Sequence, residues 1–131
     1  MLSSRGAVLV ADTYTSAWAL DQIDSTQPLN ALAEAYATIH LNRGLEYKIK
    51  KIANLIERYE AHGFIMHSNR SCKPYSLGQL DLKREVTKVT GKPGLIIDAD
   101  HTDSRSYAPA QVEKQIQLFL DIIITKEQGS V

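Results

Sequence analysis

The chain has 131 residues, 44% of them hydrophobic and 23% charged, and its 15 basic residues balance its 15 acidic ones. That composition excludes a disordered chain, the charge balance offers no footprint for nucleic acid, and the length allows one compact domain with its own core. The single cysteine excludes an internal disulfide, and no stretch reads as a signal peptide or a membrane span, so the cytoplasm is the default location.

The first apolar run is Ala7-Val8-Leu9-Val10-Ala11, the pattern of a strand covered on both faces. Asp12, Thr13 and Tyr14 lie at its C-terminal end. Residues 15–27 have isolated Trp18, Leu20 and Ile23 without a clean period and read as a loop with room for one helical turn. Thr26 is placed to cap a helix with Pro28 just inside its start, and Leu29, Leu32, Ala33, Tyr36 and Ala37 then recur at helical spacing. After Asn42-Arg43-Gly44, the residues Leu45, Ile49, Ile52, Ile56 and Tyr59 form one apolar stripe, opposite a solvated face rich in Lys and Glu. His62-Gly63 is expected to end that helix.

A second strand is expected at Gly63-Phe64-Ile65-Met66. A helix follows it, with Tyr75, Gln79, Leu82, Val86 and Val89 on one side, and stops near Thr90-Gly91-Lys92-Pro93. Leu95-Ile96-Ile97 is the third strand, and residues 98–107 form a polar loop at its end. Pro109 opens a last helix with Val112, Ile116, Phe119, Leu120 and Ile123 inward, and residues 127–131 read as a frayed tail. Strands alternating with helices imply a three-layer α/β fold with a parallel sheet, here a single domain over residues 1–131. A net charge of zero removes one defence against self-association.

The stretch that carries chemistry is His67-Ser68-Asn69-Arg70-Ser71-Cys72-Lys73-Pro74-Tyr75-Ser76-Leu77-Gly78-Gln79. It joins a strand's C-terminal end to a helix's N-terminal end, where open α/β sheets place their chemistry. Cys72 there faces the positive end of a helix dipole between Arg70 and Lys73, and all three favour thiolate over thiol. The structural alternative is a buried packing cysteine, against which the polar neighbours argue. For His67, Asn69 and Arg70 two readings stand. They are turn chemistry, with Arg70 shielding the helix end or pairing with a carboxylate, or a polar rim that donates hydrogen bonds to a ligand.

Asp98, Asp100, His101 and Asp103 suggest a metal site at first sight. Turn capping and a salt bridge to a neighbour such as Arg105 account for them better, because no second cluster of ligands accompanies them. His40 and His62 read as surface residues at helix ends. Tyr14, Trp18 and Tyr107 either line a pocket above the strands or pack the loops. Gly91-Lys92-Pro93-Gly94 enters a strand rather than opening a helix, so it is no phosphate loop. A nucleophilic role for Cys72 lacks an evident base.

The motif from His67 to Gln79 resembles the signature of the 2-hydroxyacyl-CoA dehydratase / benzoyl-CoA reductase family, and the run Ile97-Asp98-Ala99-Asp100-His101-Thr102-Asp103-Ser104-Arg105-Ser106-Tyr107 agrees with it. The resemblance spans residues 6–124 and points to the C-terminal domain of the subunit that binds the acyl-CoA. It implies a flavodoxin-like (Rossmann-like) parallel sheet that lacks the first strand-helix unit of the full domain, so the chain is expected to be a fragment or C-terminal domain of a larger subunit.

It further implies that Cys72 is one of the protein thiolates on a [4Fe-4S] cluster, with the others in earlier domains, and that His67 and Arg70 act at the substrate end. The implied partners are the remaining domains of the subunit, a homologous second subunit, an ATP-hydrolysing iron–sulfur activator and an acyl-CoA substrate. The implied reaction is a one-electron reduction of the thioester to a ketyl radical anion, leading to dehydration or ring reduction. With one cysteine, the chain alone is expected to hold no stable cluster and to be inactive. A module that docks to a larger subunit without catalysis of its own is the alternative.

Overall fold

The computed structural model describes residues 2–20 and 23–128. Its regular elements are α1 (Pro28–Thr38), α2 (Leu45–Arg58), β1 (Phe64–Ser68), α3 (Lys73–Ser76), α4 (Gln79–Thr90), β2 (Gly94–Asp98) and α5 (Pro109–Gln128). Short 3-10 turns occupy Ser3–Arg5, Thr15–Trp18, His40–Asn42 and Ser104–Ser106. β1 and β2 pair in parallel, Phe64 beside Gly94 and Ser68 beside Asp98.

Helices cover both faces of this sheet. On one face, Ile56 of α2, Met66 of β1, and Leu82 and Val86 of α4 close a core against Ile49, Ile52, Phe64 and Ile96. On the other, Val112, Ile116 and Leu120 of α5 lie on Leu95 and Ile97. β2 serves both cores because successive side chains of a strand point to opposite faces. Among the described residues, no helix is long and apolar enough to cross a membrane.

The sequence leads one to expect three strands; the described residues form a two-stranded sheet. Residues 7–11 belong to neither strand, and Val8 and Leu9 are 77% and 76% exposed. An apolar run becomes a strand only where a neighbouring edge supplies its ladder. Here a cleft separates these residues from β1, and both Val8 and Phe64 line it. α1 is helical as expected but buries none of its residues, and Leu29 is 81% exposed. Its N-cap is Gln27, because Thr26 turns back to hydrogen-bond the Asp24 carboxylate.

α2 ends at Arg58, where Glu60 takes a left-handed φ of 50°, before the expected stop at His62-Gly63. Gly63 instead permits a close approach to α5: a Cβ there would lie 2.8 Å from Ile123 Cδ1 and 2.9 Å from Phe119 Cζ. The helix expected to carry Tyr75 through Val89 is broken in two by Gly78, at φ 76°, and Val89 points outward. Gly91 ends α4 in the left-handed conformation, its N–H donating to Thr87 O. α5 continues to Gln128, past the expected fraying, and residues 129–131 lie outside the described residues.

His40, expected at the surface, is buried, and burial followed by the charges of Lys51 and Lys48 lowers its pKa. The folded chain therefore disfavours the imidazolium. The stability it contributes is fully present above the unfolded histidine value of about 6.5 and is lost as pH falls toward the lower folded value. The unfolding free energy should thus decline below about pH 6.5, and less steeply in His40→Gln. Equal slopes for the two proteins in urea titrations across pH would place His40 in water. In the core, Val86→Ala should cost about 2 kcal/mol, whereas Val89→Ala on the same helix should change stability by no more than about 0.5 kcal/mol. Equal losses in urea unfolding would overturn the orientation of α4.

Candidate functional site

Parallel pairing ends β1 and β2 at the same edge, so residues 69–72 and 99–103 leave the sheet side by side. They are tied across the gap. Arg70 Nε donates to Asp98 Oδ1 at 2.9 Å and Oδ2 at 3.0 Å, and its Nη2 also donates to Oδ2. The Ser71 N–H donates to Asp100 Oδ2 at 3.1 Å, and the Ser71 hydroxyl donates to the same oxygen. Thr102 gives its N–H and hydroxyl to Asp100 Oδ1 at 2.8 and 2.7 Å. The Arg70 hydrogen bonds hold the Asp98 carboxyl below the usual carboxylate range. The Ser71 hydroxyl, then the Thr102 donors, do so strongly for Asp100. Asp103 is lowered by its hydrogen bonds from Arg105, the neighbour pairing expected from the sequence.

His67, near the end of β1, lies 2.6 Å from Ala99 O through Nε2. A carbonyl only accepts, so Nε2 carries a proton and the neutral ring presents Nδ1 as an acceptor. His101 stacks on His67 at 4.6 Å between centroids, and Tyr75 lies 6.5 Å away on a tilted plane. Tyr14 meets Tyr75 edge to face at 5.9 Å, which brings the segment after residues 7–11 to the same rim. Burial pushes the Tyr75 phenol up.

Cys72 is half-buried and caps the N-terminus of α3. Its N–H donates to Asn69 O at 2.9 Å, and its carbonyl accepts from the N–H groups of Tyr75 and Ser76 at 3.1 and 3.0 Å. Two of the three features expected to favour thiolate are weaker than the sequence suggests. α3 has only four residues, so little macrodipole builds up behind it, and the Arg70 charge is matched by Asp98. Among the described residues, no group of three or more His, Cys, Asp or Glu side chains converges as a metal site. The donor set here fits one position of a thiolate-held cluster and leaves the others to donors elsewhere.

The structure thus brings His67, Arg70, Cys72, Asp98, Asp100 and His101 to one rim, while Asp103 pairs with Arg105. Trp18 is 59% exposed and Tyr107 46% exposed. From sequence, Tyr75 and Gln79 read only as part of a helix stripe. Gln79 is buried, and its Nε2 donates to His67 O at 2.7 Å and to Tyr75 O at 3.1 Å. The signal that could have found it is an amide on an otherwise apolar face, since a buried amide needs partners.

A sequence model of the 2-hydroxyglutaryl-CoA dehydratase D-component family matches residues 1–123. The chain is 33% identical to a benzoyl-CoA reductase subunit of Thauera aromatica over 96% of its length and 30% of that relative's. It is 31% identical to the (R)-2-hydroxyisocaproyl-CoA dehydratase alpha subunit of Clostridioides difficile, over 93% of the chain and 29% of the relative. Identity to the lactoyl-CoA dehydratase alpha subunit of Anaerotignum propionicum is 26%, over 93% and 29% respectively. The chain therefore spans about 30% of the length of these curated relatives.

The ties across the rim are testable by titration. Carboxyl NMR midpoints of Asp98 and Asp100 should fall below the ordinary value of about 3.9. Arg70→Gln should return only Asp98 toward it, and Ser71→Ala only Asp100. Because both folded values are depressed, the stability they contribute is complete above the unfolded value and is lost as pH falls through the folded ones. Ordinary midpoints in the parent chain would remove both ties.

Proposed function

Because the chain belongs to the 2-hydroxyglutaryl-CoA dehydratase D-component family, we propose that it is part of an acyl-CoA dehydratase or reductase subunit and that Cys72 is one thiolate ligand of a [4Fe-4S] cluster. The observation that carries the reading is the rim itself: the chain's one cysteine lies on the turn that follows β1, beside a tied Arg70 and a stacked His67. Such a cluster, when bound, supplies single electrons to an acyl-CoA thioester. The relatives' names carry both chemistries, dehydration and reduction, and the choice between them belongs to the rest of the protein.

The chain's own residues orient the groups at the rim. Asp98 holds the Arg70 guanidinium through Nε and Nη2, leaving Nη1 to donate to a thioester oxygen or a cluster sulfide. His67 is fixed through Nε2 to Ala99 O, which sets the orientation of its ring at the rim. Tyr75 and His101 flank the ring, His101 stacked on it and Tyr75 on a tilted plane.

Helices on both faces of a parallel sheet support a flavodoxin-like domain as the parent architecture. The partners are the remaining domains, a homologous second subunit, an ATP-hydrolysing iron–sulfur activator and the acyl-CoA, with the assembly in the cytoplasm. The second reading, a docking module without catalysis, draws on the exposed apolar residues 8 and 9.

The test exchanges the matching part of the Thauera aromatica benzoyl-CoA reductase relative for this chain and measures iron, sulfide and turnover. Cys72→Ala should lose the cluster, and the 131-residue chain alone should reconstitute none stoichiometrically. Arg70→Gln should keep the iron while lowering kcat/KM by about 10–100-fold. Full iron in Cys72→Ala would sink the ligand assignment, and if assembly alone were lost the docking reading would replace it.

A further inference from the structure

The loop that leaves β1 carries Arg70, Ser71 and Cys72 and runs into α3, which holds Tyr75. Both ends of this stretch meet one side chain. Gln79 Nε2 donates to His67 O, near the end of β1, at 2.7 Å and to Tyr75 O at 3.1 Å. Inside that closure Ser76 Oγ donates to Asn69 O and, at 3.0 Å, to Cys72 O, and the Cys72 N–H donates to Asn69 O at 2.9 Å. Gly78, at φ 76°, breaks the helix just before, so Gln79 opens α4 and its amide lies back over α3.

The stability of the core does not explain an amide at this place. Gln79 is 7% exposed and continues the buried stripe of Leu82 and Val86, where a leucine would bury more apolar surface. Its Oε1 has no hydrogen-bond partner among the described residues. Turning the amide over would set Oε1 against two carbonyl oxygens, so the nitrogen faces the loop and the oxygen stays unmet. A half-satisfied buried amide is a worse core residue than an apolar one, so its use lies in what the bonded half holds. The other restraints on the loop stand in solvent: the Arg70 and Asp98 side chains are 73% and 49% exposed, and such ties contribute little.

We propose that Gln79 is a positioning residue: its amide closes the base of the Cys72 loop and so sets where Cys72 and Arg70 stand at the sheet edge. It acts through the backbone at the two ends of the loop rather than through the thiol. Water does not compete for a buried amide as it does for the exposed ties, so this clasp holds the loop from beneath while Asp98 and Asp100 fasten it from above. That the loop so held serves a cluster rests on the reading of Cys72 as a ligand; that Gln79 holds the loop does not.

The first test needs no variant. In the whole 131-residue chain the side-chain amide protons of Gln79 should exchange with solvent at least about tenfold more slowly than those of the exposed Gln117, and equal rates overturn the clasp. In Gln79→Leu the N–H groups of Cys72, Tyr75 and Ser76 should exchange about fivefold faster. In Val86→Ala, which destabilises the same helix away from the loop, they should not. An equal rise in both variants, or none in Gln79→Leu, overturns the proposal. In the Thauera aromatica subunit carrying this chain, Gln79→Leu should keep its iron yet shift the EPR signal and midpoint potential of the cluster, and Val86→Ala should shift neither. An unmoved signal and potential in Gln79→Leu overturn the positioning role. Iron retained in Cys72→Ala would overturn the cluster reading alone, with the exchange rates still deciding the clasp.

Discussion

Parallel pairing of β1 with β2 ends both strands at one edge, with Ser68 beside Asp98, and every contact of the rim follows from that register. A slip of one residue would turn each side chain of a strand to the opposite face. Met66 would leave the core it shares with Leu82 and Val86, and Arg70 would lose its place opposite Asp98. The two apolar layers enforce the register, since Ile96 belongs to one core and Leu95 and Ile97 to the other.

The rim is held by short links between two loops rather than by burial. Arg70 to Asp98 and Ser71 to Asp100 are largely exposed, so each link contributes little alone. Their effect is geometric: with the aspartates ionised, the loop that carries Cys72 is fastened to the loop that carries His101. The same pairing neutralises the Arg70 charge with Asp98, so a ligand near Cys72 meets a fixed array of donors more than a net positive field.

The open edge of β1 and the exposed run at residues 8–10 are two views of one feature. A three-layer fold buries a strand between helices, and here the helical walls are present on both sides of a cleft whose centre has no strand from the described residues.

The sequence by itself determined α1, α5, the body of α2 and α4, and the strands β1 and β2, because periodic apolar residues, Pro28, Pro109 and Gly91 act locally and need no distant partner. It also determined the family, through the residues between His67 and Gln79. What only the tertiary structure decided depends on groups far apart in the chain. Residues 7–11 have the composition of a strand, but a strand exists only with a neighbour for its backbone. Gly63 reads as a helix stop and instead lets α5 approach. Asp100 caps its own turn through Thr102, as read from sequence, but it also binds Ser71, and Asp98 binds Arg70, across a loop gap, pairings that exist only because the two strands run parallel and end together.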